Sequence, residues 1–160
     1  MKKLISVINI LVFLFLTSCG FKVINNNQLK EFSIADITTT GDKKINFNIR
    51  NKLLFNSKDN AKKLINIKLN TTKNKSVKER NIKNEITKYE IVINVKVEFN
   101  VLMKNNFKNI TVSKSADYSV AEQYSQTLNN EKNLIKYLSE DIAEEILGEL
   151  ALKLNDIYIY

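Results

Sequence analysis

The chain has 160 residues, a formal net charge of +8, 44% hydrophobic residues, one cysteine and no histidine. A single thiol excludes an internal disulfide. The missing histidine excludes Ser-His-Asp and Cys-His nucleophile sites and the usual His/Cys ligation of zinc or haem.

The first segment is the most informative. After Met1-Lys2-Lys3, an apolar stretch from Leu4 to Leu16 is interrupted only by Ser6 and Asn9. As a helix these residues would rise about 20 Å, short of a hydrocarbon core of about 30 Å. Basic start, short apolar run and small residues fit a secretory signal over residues 1–18. Leu16-Thr17-Ser18-Cys19 closes it as a bacterial lipoprotein signal does, so Cys19 is the expected lipidation site and membrane anchor. Two or more acyl chains on one residue hold a protein stably on a bilayer. Gly20, in place of an aspartate, resembles the sorting pattern of outer-membrane lipoproteins.

Residues 19–30 carry the lipidated cysteine and then a polar, aperiodic, Asn-rich stretch, expected to act as a flexible tether. Residues 31–160 are expected to form one periplasmic α/β domain. Phe32, Ile34 and Ile37 with Thr38 to Thr40 read as a strand ended by Gly41-Asp42. Over 43–55, helix competes with strand: Ile45, Phe47 and Ile49 alternate, while Ile45, Ile49 and Leu53 recur every four residues. The absence of alternation beyond Arg50, with Asp42 as N-cap, favours the helix.

Ile65, Ile67, Leu69 and Thr71 then alternate with polar residues, and Tyr89 to Val101 supplies seven alternating apolar positions. Such a period of two, with one polar face, predicts antiparallel strands covered on one side. The intervening Lys73–Lys83 is expected to be the extended basic tip of a long hairpin. A fourth strand is expected near Ile110–Val120. Leu134, Ile135, Leu138, Ile142, Ile146, Leu150 and Leu154 then trace the apolar stripe of a closing helix, with Asn129 or Asn130 as cap. The fold class that follows is α+β: a two-layer sandwich of roughly four largely antiparallel strands with two helices on one face, ordered β-α-β-β-β-α.

Charge is unevenly distributed. Between Lys58 and Lys88 stand ten Lys/Arg against three acids, whereas Glu131 to Tyr160 holds seven acids against three lysines. An exported lipoprotein rarely meets nucleic acid, so the anions expected near the basic run are lipid head groups and phosphorylated sugars. Lys73, Lys75, Lys78, Arg80 and Lys83 are therefore the candidates for contact with lipopolysaccharide. The acids on the last helix, Glu140, Asp141, Glu144, Glu145 and Glu149, read as a solvated face. Tyr118, Tyr124, Tyr158 and Tyr160 read as core or rim tyrosines. With only Gly20, Gly41 and Gly148 there is no phosphate-binding loop, and no metal site or cofactor is expected. The chain is not expected to be an enzyme, though a serine–lysine hydrolase remains the third choice of function.

Cys19-Gly20-Phe21, the element order and the closing segment from Val120-Ala121-Glu122-Gln123-Tyr124 through Ala143, Ile146, Leu150 and Leu154 resemble the lipopolysaccharide-assembly lipoprotein family, LptE. The resemblance covers nearly the whole mature chain, but only Cys-Gly-Phe is a sharp local match. The family's basic or proline residues near that motif are reduced here to Lys22. The resemblance implies an outer-membrane lipoprotein lodged in an LptD-like β-barrel, where it supports barrel assembly and lipopolysaccharide insertion into the outer leaflet. The alternative is an accessory scaffold lipoprotein of another envelope machine, binding protein partners without touching lipopolysaccharide.

Overall fold

The computed structural model describes residues 32–57, 61, 63–102, 104 and 106–156. The expected signal, Cys19, the tether, Tyr158 and Tyr160 lie outside the described residues. Strand β1 spans Phe32–Gly41, helix α1 Lys43–Asn56, β2 Lys63–Arg80, β3 Ile86–Val101, β4 Phe107–Ser119 and helix α2 Tyr124–Asp156.

The chain turns from β1 into α1 at a position only glycine tolerates. Gly41 has φ +95°, and a Cβ there would stand 1.9 Å from the Thr71 carbonyl oxygen. Asp42 then caps α1, its Oδ1 accepting from Lys44 N at 3.0 Å and Ile45 N at 3.1 Å. These bonds satisfy amides that have no partner inside the helix. The four-residue recurrence read from the sequence is correct for this segment: Ile45, Ile49 and Leu53 are fully buried.

Helix α1 carries the chain back, so β2 enters beside β1 in parallel; the other two pairings are antiparallel, in spatial order β1-β2-β3-β4. The sheet is thus mixed but largely antiparallel. Ile65, Ile67 and Leu69 of β2 face the same side as Ile91 to Val101 of β3 and Ile110 and Val112 of β4. Both helices pack over that side and close one core with Ile142, Ile146, Leu150 and Leu154 of α2.

Two sequence boundaries need correction. The closing helix starts at Tyr124, so neither Asn129 nor Asn130 is its cap. Polar residues in its first turns hid the start, because that part of the helix overhangs the core; Leu128 is 47% exposed. The basic run is also strand for most of its length. β2 continues to Arg80, and the turn occupies only Asn81–Glu85.

Candidate functional site

The hairpin end of the sheet, with the overhanging start of α2, gathers the residues that the sequence singles out. Beyond Thr71, Lys73 and Lys75 continue the helix-side face of β2 opposite Ile93 and Ile91. Both isoleucines are fully buried. The lysine stems extend the apolar layer while their ammonium groups reach outward. Lys73 Nζ lies 3.3 Å from Oδ2 of Asp42, the cap of α1. Lys75 Nζ lies 2.6 Å from Oε2 of Glu131 on α2. These two cations therefore clamp the sheet to both helices, and neither stands at a free tip.

Lys75 has further partners. Its ammonium sits 4.3 Å from the Tyr89 ring centroid and 5.4 Å from that of Tyr118. The two rings stack at 5.7 Å, and Tyr118 donates to Glu131 Oε2 at 2.7 Å. Burial pulls the Lys75 pKa down, but the bonds to Glu131 and Tyr118 outweigh it and leave the group above its ordinary value. Burial likewise pushes Glu131 up, while Lys75 and Tyr118 hold the carboxyl below its usual range. Tyr118 is raised, first by burial and then through Glu131. The carboxylate, ammonium and phenol share one local network.

Further along, Lys78 pairs with Glu90 at 2.7 Å across the strands. The β2–β3 register shifts between Val77 and Glu79 and again between Glu79 and Arg80. Arg80 Nη1 donates to the Asn84 carbonyl at 2.8 Å. Asn84, with φ 63°, closes the turn, and Asn81 Oδ1 accepts from Lys83 N and Glu85 N. The five cations expected to act together are thus divided. Lys73, Lys75 and Lys78 have carboxylate partners, whereas Arg80 and Lys83 make no ion pair among the described residues.

The acids Asp42, Glu131 and Glu90 are distant in sequence from these lysines, which is why a local charge count overstated the positive field. The acidic helix face is similarly engaged: Glu144 meets Lys52 of α1 at 3.0 Å, and Asp141 and Glu145 meet Lys114 of β4 at 3.3 and 2.7 Å.

An open cleft of about 420 Å³ lies beside the network, between Tyr89, Val120 and the first turns of α2 at Tyr124, Thr127 and Leu128. Thr127 Oγ1 accepts from Ala121 N at 2.9 Å and so pins the loop entering α2. Exposed Tyr124 and Leu128 form an apolar rim over the ionic floor of Lys75 and Glu131. Such a cleft accommodates an amphipathic group, with a chain or ring at the rim and polar atoms at the base. Of the tyrosines that the sequence reads as core or rim, Tyr118 is buried and Tyr124 stands at the rim; the meeting of Tyr89, Lys75 and Glu131 leaves no mark in the sequence. On the opposite, open face of the sheet, Lys68, Asn70, Lys96, Glu98, Asn109 and Thr111 line a shallow polar hollow of about 450 Å³.

Among the described residues, no three His, Cys, Asp or Glu side chains come together as a metal site. No helix among them is long and apolar enough to cross a membrane.

The fold, in its order of strands and helices, recurs in solved bacterial lipoproteins. Rare lipoprotein B from Shewanella oneidensis superposes with a TM-score of 0.59 at 15% identity, over 76% of this chain and 98% of that one. The fold is that of these lipoproteins. Lipoprotein B from Nitrosomonas europaea gives 0.54 at 16% identity over 85% and 93% of the two chains. A minor lipoprotein from Acinetobacter baumannii gives 0.54 at 12% identity over 77% and 92%. At these identities the likeness is one of fold alone. No family model matches the sequence, and no curated protein matches it.

Proposed function

We propose that this chain is an outer-membrane lipoprotein, anchored through Cys19, that partners an LptD-like β-barrel as plug and assembly factor in lipopolysaccharide transport. The observation that carries the reading is the fold shared with bacterial lipoproteins over almost the whole length of the matched chains. The lipoprotein-type signal and the LptE resemblance of the sequence point the same way. A plug needs a rigid domain and a polar outer surface, and it works without catalysis. Strand β2 has 18 residues and runs about 60 Å, so the hairpin end is carried far from the end where the chain enters β1. In this reading the hairpin end enters the barrel and the entry end stays at the inner leaflet, with Arg80 and Lys83 as the cations left for lipopolysaccharide phosphates.

The pairing of Lys73, Lys75 and Lys78 with the domain's own acids favours a second reading, a scaffold lipoprotein that binds protein partners without lipopolysaccharide contact. Affinity purification from detergent-solubilised outer membranes separates the two. A large β-barrel recovered in near-equal amount supports the plug, and recovery of other envelope proteins without a barrel overturns it.

A further inference from the structure

The outward face of α1 is a surface that the plug reading leaves unused. Successive helical residues turn by about 100°, so Lys43, Phe47, Arg50 and Leu54 fall on one side, flanked by Lys44 and Phe55. Ile45, Ile49 and Leu53 fall on the other and are fully buried. Phe47, Leu54 and Phe55 are 64%, 42% and 87% exposed. Scattered apolar side chains on a surface are ordinary, but Phe47 and Leu54 lie within about 20° of each other on a 14-residue helix, and Phe55 extends the patch about 80° round at its end.

Their neighbours decide what the stripe meets. Lys43, Lys44 and Arg50 are exposed and make no ion pair among the described residues. Helix α1 contains no acid, and its cap Asp42 is turned to Lys73. Exposed phenylalanines beside unpaired cations are the composition of a helix lying in a membrane interface. Elsewhere among the described residues the pattern differs: the middle of α2 presents Glu140, Glu144 and Glu149, and Ile82 stands alone between Arg80 and Lys83 at the hairpin turn.

The path of the chain places this helix at the correct end. Ile34 N donates to Ser57 Oγ at 2.9 Å, so the start of β1 lies beside the end of α1, next to Phe55. Only twelve residues separate Cys19 from Phe32, a reach of no more than about 47 Å. Whatever path they take, an acyl chain on Cys19 keeps this end of the domain within that distance of the bilayer.

We infer that the outward face of α1 lies on an anionic bilayer, with Phe47, Leu54 and Phe55 in the headgroup layer and Lys43, Lys44 and Arg50 donating hydrogen bonds to lipid phosphates. This contact orients the domain about its anchor at the inner leaflet, beside the end where the chain enters β1. The anchoring part rests on the lipoprotein reading; the lipid-facing surface is a property of α1 itself.

The chain contains no tryptophan, so Phe55→Trp and, separately, Phe47→Trp are unambiguous reporters at exposed positions. Tyr137→Trp on α2, where the native side chain is 63% exposed, is the control. The full-length lipidated protein is reconstituted into phosphatidylethanolamine vesicles with about a quarter phosphatidylglycerol and acyl chains brominated near the headgroup. Indole emission from the Phe55→Trp and Phe47→Trp variants is expected to shift to shorter wavelength and to lose more than about half its intensity, with the control unquenched. Changing Lys43, Lys44 and Arg50 to Gln in the reporter backgrounds is expected to restore most of the emission. Equal quenching of reporters and control overturns the inference, as does indifference to the three substitutions. Shielding that needs an added membrane protein also overturns it. The mass of the mature N-terminus separates the two readings. A lipidated but unquenched protein sinks only the α1 contact; an unlipidated one sinks the anchor, and adding vesicles to it still decides the face.

Discussion

Glu131 ties the start of α2 to the sheet, because it receives Lys75 at 2.6 Å and the Tyr118 hydroxyl at 2.7 Å. Its pKa in the folded protein lies below the ordinary 4.5, so folding binds the deprotonated form preferentially. The stability this supplies is present above the unfolded value and disappears as pH falls through the folded one. Asp42, also lowered, titrates in the same sense: burial raises it, but the Ile45 amide and Lys73 prevail. The thermal midpoint of Glu131→Gln should therefore fall less than that of the unchanged protein between about pH 5 and pH 3. At neutral pH the substitution should cost about 1 kcal/mol, since the pair is partly screened by water. An equal acid-side slope in both proteins, measured by calorimetry, would refute the assignment. Gly41 poses a steeper demand. With a Cβ placed 1.9 Å from the Thr71 carbonyl and φ at +95°, Gly41→Ala should cost more than about 3 kcal/mol or abolish folding. Urea titration of the two proteins gives the difference directly.

At the scale of elements, the apolar period and the cap explain why so much of the fold is legible in the sequence. Ile45, Ile49 and Leu53 follow helical spacing behind Asp42, and Tyr89 to Val101 alternates with Val92 as its one exception. Each pattern is produced by one continuous wall of the core, and all but the partly buried Tyr89 end fully covered. The failures occur where an element outruns that wall. β2 beyond Thr71 and α2 before Glu131 have no apolar stripe to announce them, so sequence periodicity places the strand end too early and the helix start too late. The candidate site sits at this overhang, where its members come from β2, β3, β4 and α2. Lys75, Tyr89, Tyr118 and Glu131 meet only through register and packing, which one strand's spacing does not encode. The same geometry divides the basic run by role. Changing Arg80 and Lys83 to Gln should weaken lipopolysaccharide binding several-fold at low salt while leaving the thermal midpoint nearly unchanged. Changing Lys73 and Lys75 to Gln should instead lower stability by about 1–2 kcal/mol, through lost clamps to both helices. Binding to immobilised lipopolysaccharide, paired with thermal melts, distinguishes the outcomes. If the Arg80/Lys83 variant binds as before, the tip is not a contact.

For the molecule as a whole, the sheet-and-helix core and the anchor are separable by construction. Among the described residues the buried core runs from Phe32 to Leu154, and Cys19 stands well ahead of it in sequence. None of the described buried contacts involves the sulfur, whereas in the proposed reading location depends on it. Cys19→Ser should block lipid attachment and signal removal, leaving a precursor heavier than the mature form and free of labelled palmitate. Its folded domain should nonetheless melt within about 2 °C of the lipidated protein, because no buried contact is lost. Globomycin added to cells making the unchanged protein should accumulate that same heavier species. Normal processing of Cys19→Ser, shown by the mass of its N-terminus, would remove the anchor from this picture and with it the reason for the domain to stand beside a bilayer. A large drop in melting temperature would show instead that residues ahead of β1 contribute to the core, contrary to the containment seen from Phe32 to Leu154.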